Sequence, residues 1–409
     1  MGNRFTSPWW IVFGSVLGLL LSVGPVIQFS FGAFLLPVAK SLNVDRATLS
    51  FALLLSLCAS GLAVPLVGHL VDRIGISKVG APLVALFALS IVAIGVCSRS
   101  PATYLASYAV AGFFGAGQTP MIYAKSIAGA FDSNRGKALG IAMAGVGVGA
   151  AVVPKLAQVL VLQLGWQHAY IALGVITFLV TAPPVALFLR DAPVSSKRIN
   201  GSGAAIPADG ERIVATVLFW KLAIAVFLIA LAASGVVAHL IPMMIDHGVS
   251  PQTAALAVSA GGGALVAGRL LAGYCLDVLF APYVAGLFLM MPLAGTLMLL
   301  SAAVPSQFIV AGVLVGMGLG AEIDLMAYLQ SRYLGVSRFG EIYGYLLMIF
   351  MFGSGVGPFA MGLSFRHFGS YSAALGSFAV GLVIAIAILL TLGSYRFGKT
   401  PWRLLSEVS

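Results

Sequence analysis

Apolar residues run on along this chain for about 20 positions at a time, and polar residues collect in short punctuation between the runs. The runs lack the strict alternation of a half-buried strand and are apolar on all sides. Runs of that length match the helix needed to cross a hydrocarbon core of about 30 Å, and they exclude a β-barrel, whose strands alternate over about ten residues. The pattern predicts twelve spans, at roughly 9–39, 47–70, 79–98, 102–130, 136–163, 168–189, 214–245, 252–277, 281–303, 307–332, 340–365 and 371–394. The predicted fold is an all-α polytopic membrane protein.

One connection is long and rich in Ser, Gly, Pro and charge. It divides the chain into a bundle over 1–190, a cytoplasmic linker over 191–213 and a second bundle over 214–409. The halves repeat each other. Pro37 and Pro242, Gly68 and Gly273, and Asp72 and Asp277 are each 205 residues apart. Gly136 and Gly340, Gly149 and Gly353, Pro154 and Pro358, and Gly165 and Gly369 are each 204 apart. Matched helix-breaking and charged positions at a nearly constant offset point to two pseudo-symmetric six-helix bundles, with a solute between them.

Composition agrees: 60% of residues are hydrophobic and 8% charged, too little polar surface for a water-soluble domain of 409 residues. The net charge of +10 resolves into topology. Fifteen of the 22 Lys and Arg fall on one side of the predicted spans and four, Lys40, Arg46, Arg99 and Arg366, on the other. By the positive-inside rule both termini are expected in the cytoplasm of a plasma (bacterial inner) membrane, and no nucleic-acid partner is implied. Cys58, Cys97 and Cys275 sit apart within apolar segments and form no disulfide or metal pattern.

The segment from Gly68 through Asp72, Arg73 and Gly75 to Lys78 joins the second and third spans and has a degenerate copy at Gly273 to Asp277. It resembles the loop signature of the major facilitator superfamily, as do Arg135-Gly136 and Gly165-Trp166, and the likeness covers essentially the whole chain. The resemblance implies gating roles for Asp72, Arg73 and Asp277 and leaves a plain structural cap as the alternative. Ile76 and Ser77 stand where the family has a basic pair. The eighth span, Gly268-Arg269 to Asp277, resembles the branch of monocarboxylate transporters and oxalate–formate exchangers, in which an arginine here pairs with the substrate carboxylate. Leu265 stands where animal relatives carry an aspartate, and the run from Tyr343 to Leu363 lacks the lysine of the oxalate exchanger.

Independently of any family, Arg269 is costly where it lies, about 2.5–3.5 kcal/mol on an insertion scale. It is about six residues past the middle of its span, roughly 9 Å toward the cytoplasm. A guanidinium offers a planar fork that suits a carboxylate and keeps its proton; the alternative is an ion pair with an acid of the tenth span. Glu322 and Asp324 are the two acids deep within a predicted span; Asp277 and Glu341 lie at the ends of theirs. Two positions on a helix are about 200° apart, so Asp324 is expected toward the cavity and Glu322 toward a neighbouring helix. Either could carry a coupling proton or simply pack between helices. Tyr328 shares a face with Asp324. Tyr123 and Gln28 are further substrate-binding candidates. Lys125 and Lys155 are placed to snorkel, the alternatives being substrate binding for Lys125 and added positive potential in the outer vestibule for Lys155. His239, three residues before Pro242, could respond to pH or serve as a packing histidine.

The sequence holds no phosphate-cradling loop, no metal-ligand cluster and no nucleophile elbow, so no enzyme, cofactor or metal is expected. The expected function is alternating-access, proton-coupled symport of a small monocarboxylate such as lactate or pyruvate, by a monomer whose partners are substrate, protons and the bilayer. The alternatives are a carboxylate exchanger and an efflux transporter for other organic solutes.

Overall fold

The computed structural model describes residues 7–131, 135–189, 215–335 and 339–397. The expected linker therefore lies almost wholly outside the described residues. Helices account for nearly everything else.

The first span is α1 (Trp9–Leu20), a π-helical segment Gly24–Phe29 and α2 (Phe31–Leu42). The second is α3 (Arg46–Ile74) and the third α4 (Ile76–Cys97). The fourth is broken into α5 (Pro101–Gly115), a 3-10 turn Ala116–Gln118 and α6 (Pro120–Ala130). The fifth and sixth run together as α7 (Arg135–Phe188), turned at Gly165, whose φ of 78° suits glycine. Six single helices follow: α8 (Val217–Asp246), α9 (Pro251–Val278), α10 (Ala281–Leu300), α11 (Pro305–Tyr333), α12 (Phe339–Phe368) and α13 (Ser372–Leu390). The face at which α1 begins and α13 ends is here the termini face; the opposite one is the far face.

Local chemistry sets the helix starts. Asp45 accepts from the Thr48 N–H at 2.8 Å to open α3, and Ser100 and Ser250 cap α5 and α9 ahead of Pro101 and Pro251. The π segment begins at Gly24-Pro25, where the missing proline N–H interrupts the ladder.

The helices form two six-span bundles that meet chiefly through α3 against α12 and α7 against α9. At the far face, ion pairs join the bundles. Arg46 sends two hydrogen bonds to Asp246, at 2.5 and 2.7 Å, and a third to the Tyr371 hydroxyl. Its guanidinium also lies 3.8 Å from the centre of the Phe365 ring. Arg366 grips both oxygens of Asp45, and that grip holds the Asp45 carboxyl down at about 2.

Candidate functional site

The site depends on how closely α9 and α11 approach. A Cβ on Gly316 would lie 2.1 Å from the Gly261 carbonyl, one on Gly268 2.2 Å from the Met317 carbonyl, and one on Gly320 2.1 Å from the Leu265 carbonyl. The two backbones therefore touch, which only glycine permits. Arg269 follows Gly268, Asp324 is one turn past Gly320, and the pair meets with Nε 3.0 Å from Oδ2. The Nε–H makes no well-directed hydrogen bond, so the contact is an ion pair more than a hydrogen bond. Arg269 Nη1 donates to the Met143 carbonyl at 3.0 Å. Met143 belongs to α7, in the first bundle, so the guanidinium joins both halves.

The Asp324 side chain is 38% exposed and the Arg269 side chain 11%. The carboxylate thus faces an accessible space with the cation behind it, an arrangement in which an incoming anion can displace an internal one. Tyr343 of α12 lies within electrostatic reach of both charges. Nothing in the sequence marks it, since a tyrosine in an apolar run is ordinary packing material.

Glu322, two residues earlier, points away from this pair. It is 4% exposed, neither carboxyl oxygen has a hydrogen-bond partner, and it lines a cavity inside the second bundle.

Gln28, in the π segment, donates from Nε2 to Ser234 Oγ of α8 at 2.7 Å, a buried bond between halves. Tyr123 is buried against Gly18, and its hydroxyl donates to Gln118 Oε1 at 2.8 Å in the 3-10 break. It therefore sits inside the first bundle. The Tyr328 hydroxyl accepts from Arg332 Nη2 at 3.1 Å, one turn nearer the termini face. His239 is fully buried at the far-face junction. Its Nε2 lies 3.0 Å from both Ser50 Oγ and the Pro358 carbonyl, and its Nδ1 3.4 Å from the Tyr371 hydroxyl. Arg73 is exposed at the end of α3; the side chains of Asp72 and Asp277 lie outside the described residues. Nothing in the sequence marks the Met143 carbonyl or Ser234 as partners, since one is backbone and the other a small residue in an apolar run.

Among the described residues ten helices are long and apolar enough to cross a membrane, and two bundles with a charged pair at their junction invite comparison with known transporters. The sequence pattern of the Major Facilitator Superfamily matches residues 17–303. The chain belongs to that superfamily. It is 26% identical over 261 residues to the uncharacterised MFS-type transporter YcxA of Bacillus subtilis (strain 168), covering 61% of each chain. It is 25% identical over 257 residues to monocarboxylate transporter 11 of Homo sapiens, covering 59% of this chain and 53% of that one. The chain thus spans between half and two thirds of these relatives' length. Two crystal structures of a bacterial homologue of the human lysosomal transporter Spinster share the fold at 17% identity. The inward-facing, unoccupied form superposes with a TM-score of 0.73 over 96% of this chain and 98% of that one. The inward-facing, occupied form gives 0.67 over 95% and 97%. The chain is thus a multi-pass membrane protein of a transporter superfamily.

Proposed function

We propose that this transporter moves a small monocarboxylate together with a proton. The observation that carries the reading is the Arg269–Asp324 pair at 3.0 Å, with the same guanidinium bonded to Met143 of the other half. An entering carboxylate takes the place of Asp324 on the guanidinium fork. A neutralised pair then crosses the low-dielectric interior at less cost than a lone cation. A small apolar pocket lies toward the far face, lined by Phe29, Val236, Leu240, Val258 and Leu319. Its walls favour an apolar group over a second charge.

The name of the human relative supports the carboxylate. Charge asymmetry supports cytoplasmic termini, so the closed far face is the outer one and the conformation is open inward. The expectation of a monomer is kept in this proposal. Asp324 favours symport over exchange, because an internal acid can reset Arg269 without a second substrate.

The test is reconstitution into liposomes with an imposed pH gradient and labelled lactate, pyruvate, acetate and oxalate. Gradient-driven uptake of the monocarboxylates is expected. Uptake indifferent to the gradient but driven by internal carboxylate would replace symport with exchange. Arg269→Lys keeps the charge and loses the fork; a charge-assisted pair worth about 1.5–3 kcal/mol predicts roughly a ten- to hundredfold loss of affinity. Wild-type affinity in that variant removes the bidentate role.

A further inference from the structure

Glu322 is the buried acid that the ion pair at Arg269 leaves unexplained. It lies about 200° around α11 from Asp324, facing the core of the second bundle. There it lines a small cavity with Leu222, Val226 and Ile229 of α8, Leu289 of α10, Leu346 of α12 and Leu389 of α13. Every other lining residue is apolar or glycine, so among the described residues no titratable, charged or hydrogen-bonding side chain from α8, α10, α12 or α13 lines the cavity with the carboxyl. Both oxygens are without a partner. A carboxylate in such surroundings carries a penalty that neutralisation removes, and the species that neutralises it must be small, because nothing there would bind a hydrated metal ion.

We propose that Glu322, and not Asp324, is the residue that takes up the coupling proton. The inference rests on the symport reading above. In the step, Glu322 Oε forms an O–H bond with a proton from hydronium, leaving water; release returns the proton to water when the bundle rearranges and the cavity is wetted. Asp324 stays ionised as the resting counter-ion of Arg269. The two charges thus occupy opposite faces of one helix, and α11 links them because its backbone touches α9 at Gly316 and Gly320. Protonating Glu322 lets α11 settle into a dry core, which fixes the position of Arg269 through that contact.

The test combines a variant with a chemical probe. In liposomes, Glu322→Gln is expected to keep carboxylate counterflow and to lose gradient-driven accumulation, which falls to the level seen without a gradient. Wild-type accumulation in Glu322→Gln overturns this assignment alone. A wild-type protein that exchanges carboxylates yet ignores the gradient overturns the symport reading, and this inference with it. The second measurement does not depend on a variant folding. A lipophilic carbodiimide adds to protonated carboxyls in apolar surroundings, and mass spectrometry of the labelled wild-type protein at neutral pH is expected to find the adduct on Glu322. Labelling that spares Glu322 overturns the proposal.

Discussion

Replacing Asp324 with asparagine separates a competitor from a helper. If Asp324 occupies the guanidinium until substrate arrives, its charge works against binding, and Asp324→Asn should tighten it. The size of the effect follows from the geometry. Two unit charges about 4 Å apart attract by about 4 kcal/mol at an effective dielectric of about 20. Lost hydration offsets most of that. Exposed pairs are worth about 0.2–1 kcal/mol and hydrogen bonds to charged groups about 1.5–3. With Asp324 38% exposed and the Nε–H not aimed at it, this pair belongs near the lower range. About 1 kcal/mol corresponds to roughly a fivefold fall in Kd. Titration calorimetry of the purified protein with a monocarboxylate measures it. The same variant should slow net transport, because the empty carrier must return with an unpaired guanidinium. An unchanged or weakened Kd in Asp324→Asn refutes the competition.

Two further predictions follow from packing and from the far-face latch. Gly320→Ala would place a methyl 2.1 Å from the Leu265 carbonyl and 2.9 Å from the Arg269 N, an overpacking that costs about 1–3 kcal/mol. Thermal unfolding in detergent should shift down for it but not for Gly344→Ala, where the added methyl meets nothing within 4 Å; equal shifts would remove the tight-contact argument. Asp45, depressed to about 2, contributes stability that is present above the ordinary carboxylate value of about 3.9 and lost as pH falls toward 2. Spin-label distances across the far face should therefore stay constant between pH 8 and 5, while Asp45→Asn lengthens them at every pH in that range. A pH-dependent distance in the wild type would assign the latch to another group.

The twelve crossings were legible because apolar length alone specifies them. The repeat also held Gly165 and Gly369, where helices turn, while its prolines Pro37, Pro154, Pro242 and Pro358 lie inside helices. The 3-10 break at Ala116–Gln118 was not foreseen, although Pro120 lies just beyond it, because an apolar run conceals a change of helical pitch. That break explains why Tyr123 bonds to Gln118 inside its own bundle. Arg269 and Asp324 stood out as rare charges in an apolar setting, and the 3.6-residue repeat set Glu322 and Asp324 on different faces. The far-face latches were invisible for the opposite reason. Asp45 and Arg366 are separated by 321 residues in sequence and read as ordinary loop charges until the fold brings them together.

The bond from Arg269 to Met143 has a consequence for the working cycle. Asp324 travels with Arg269, since α9 and α11 touch through their backbones, whereas Met143 belongs to the opposite half. A hydrogen bond shared between two bodies measures their separation. When the halves part along α7 and α9, the guanidinium loses one acceptor and keeps the other, so its appetite for an outside anion rises at that moment. In the proposed transport cycle, the residue that holds the cargo is then also the gauge of which way the protein stands open.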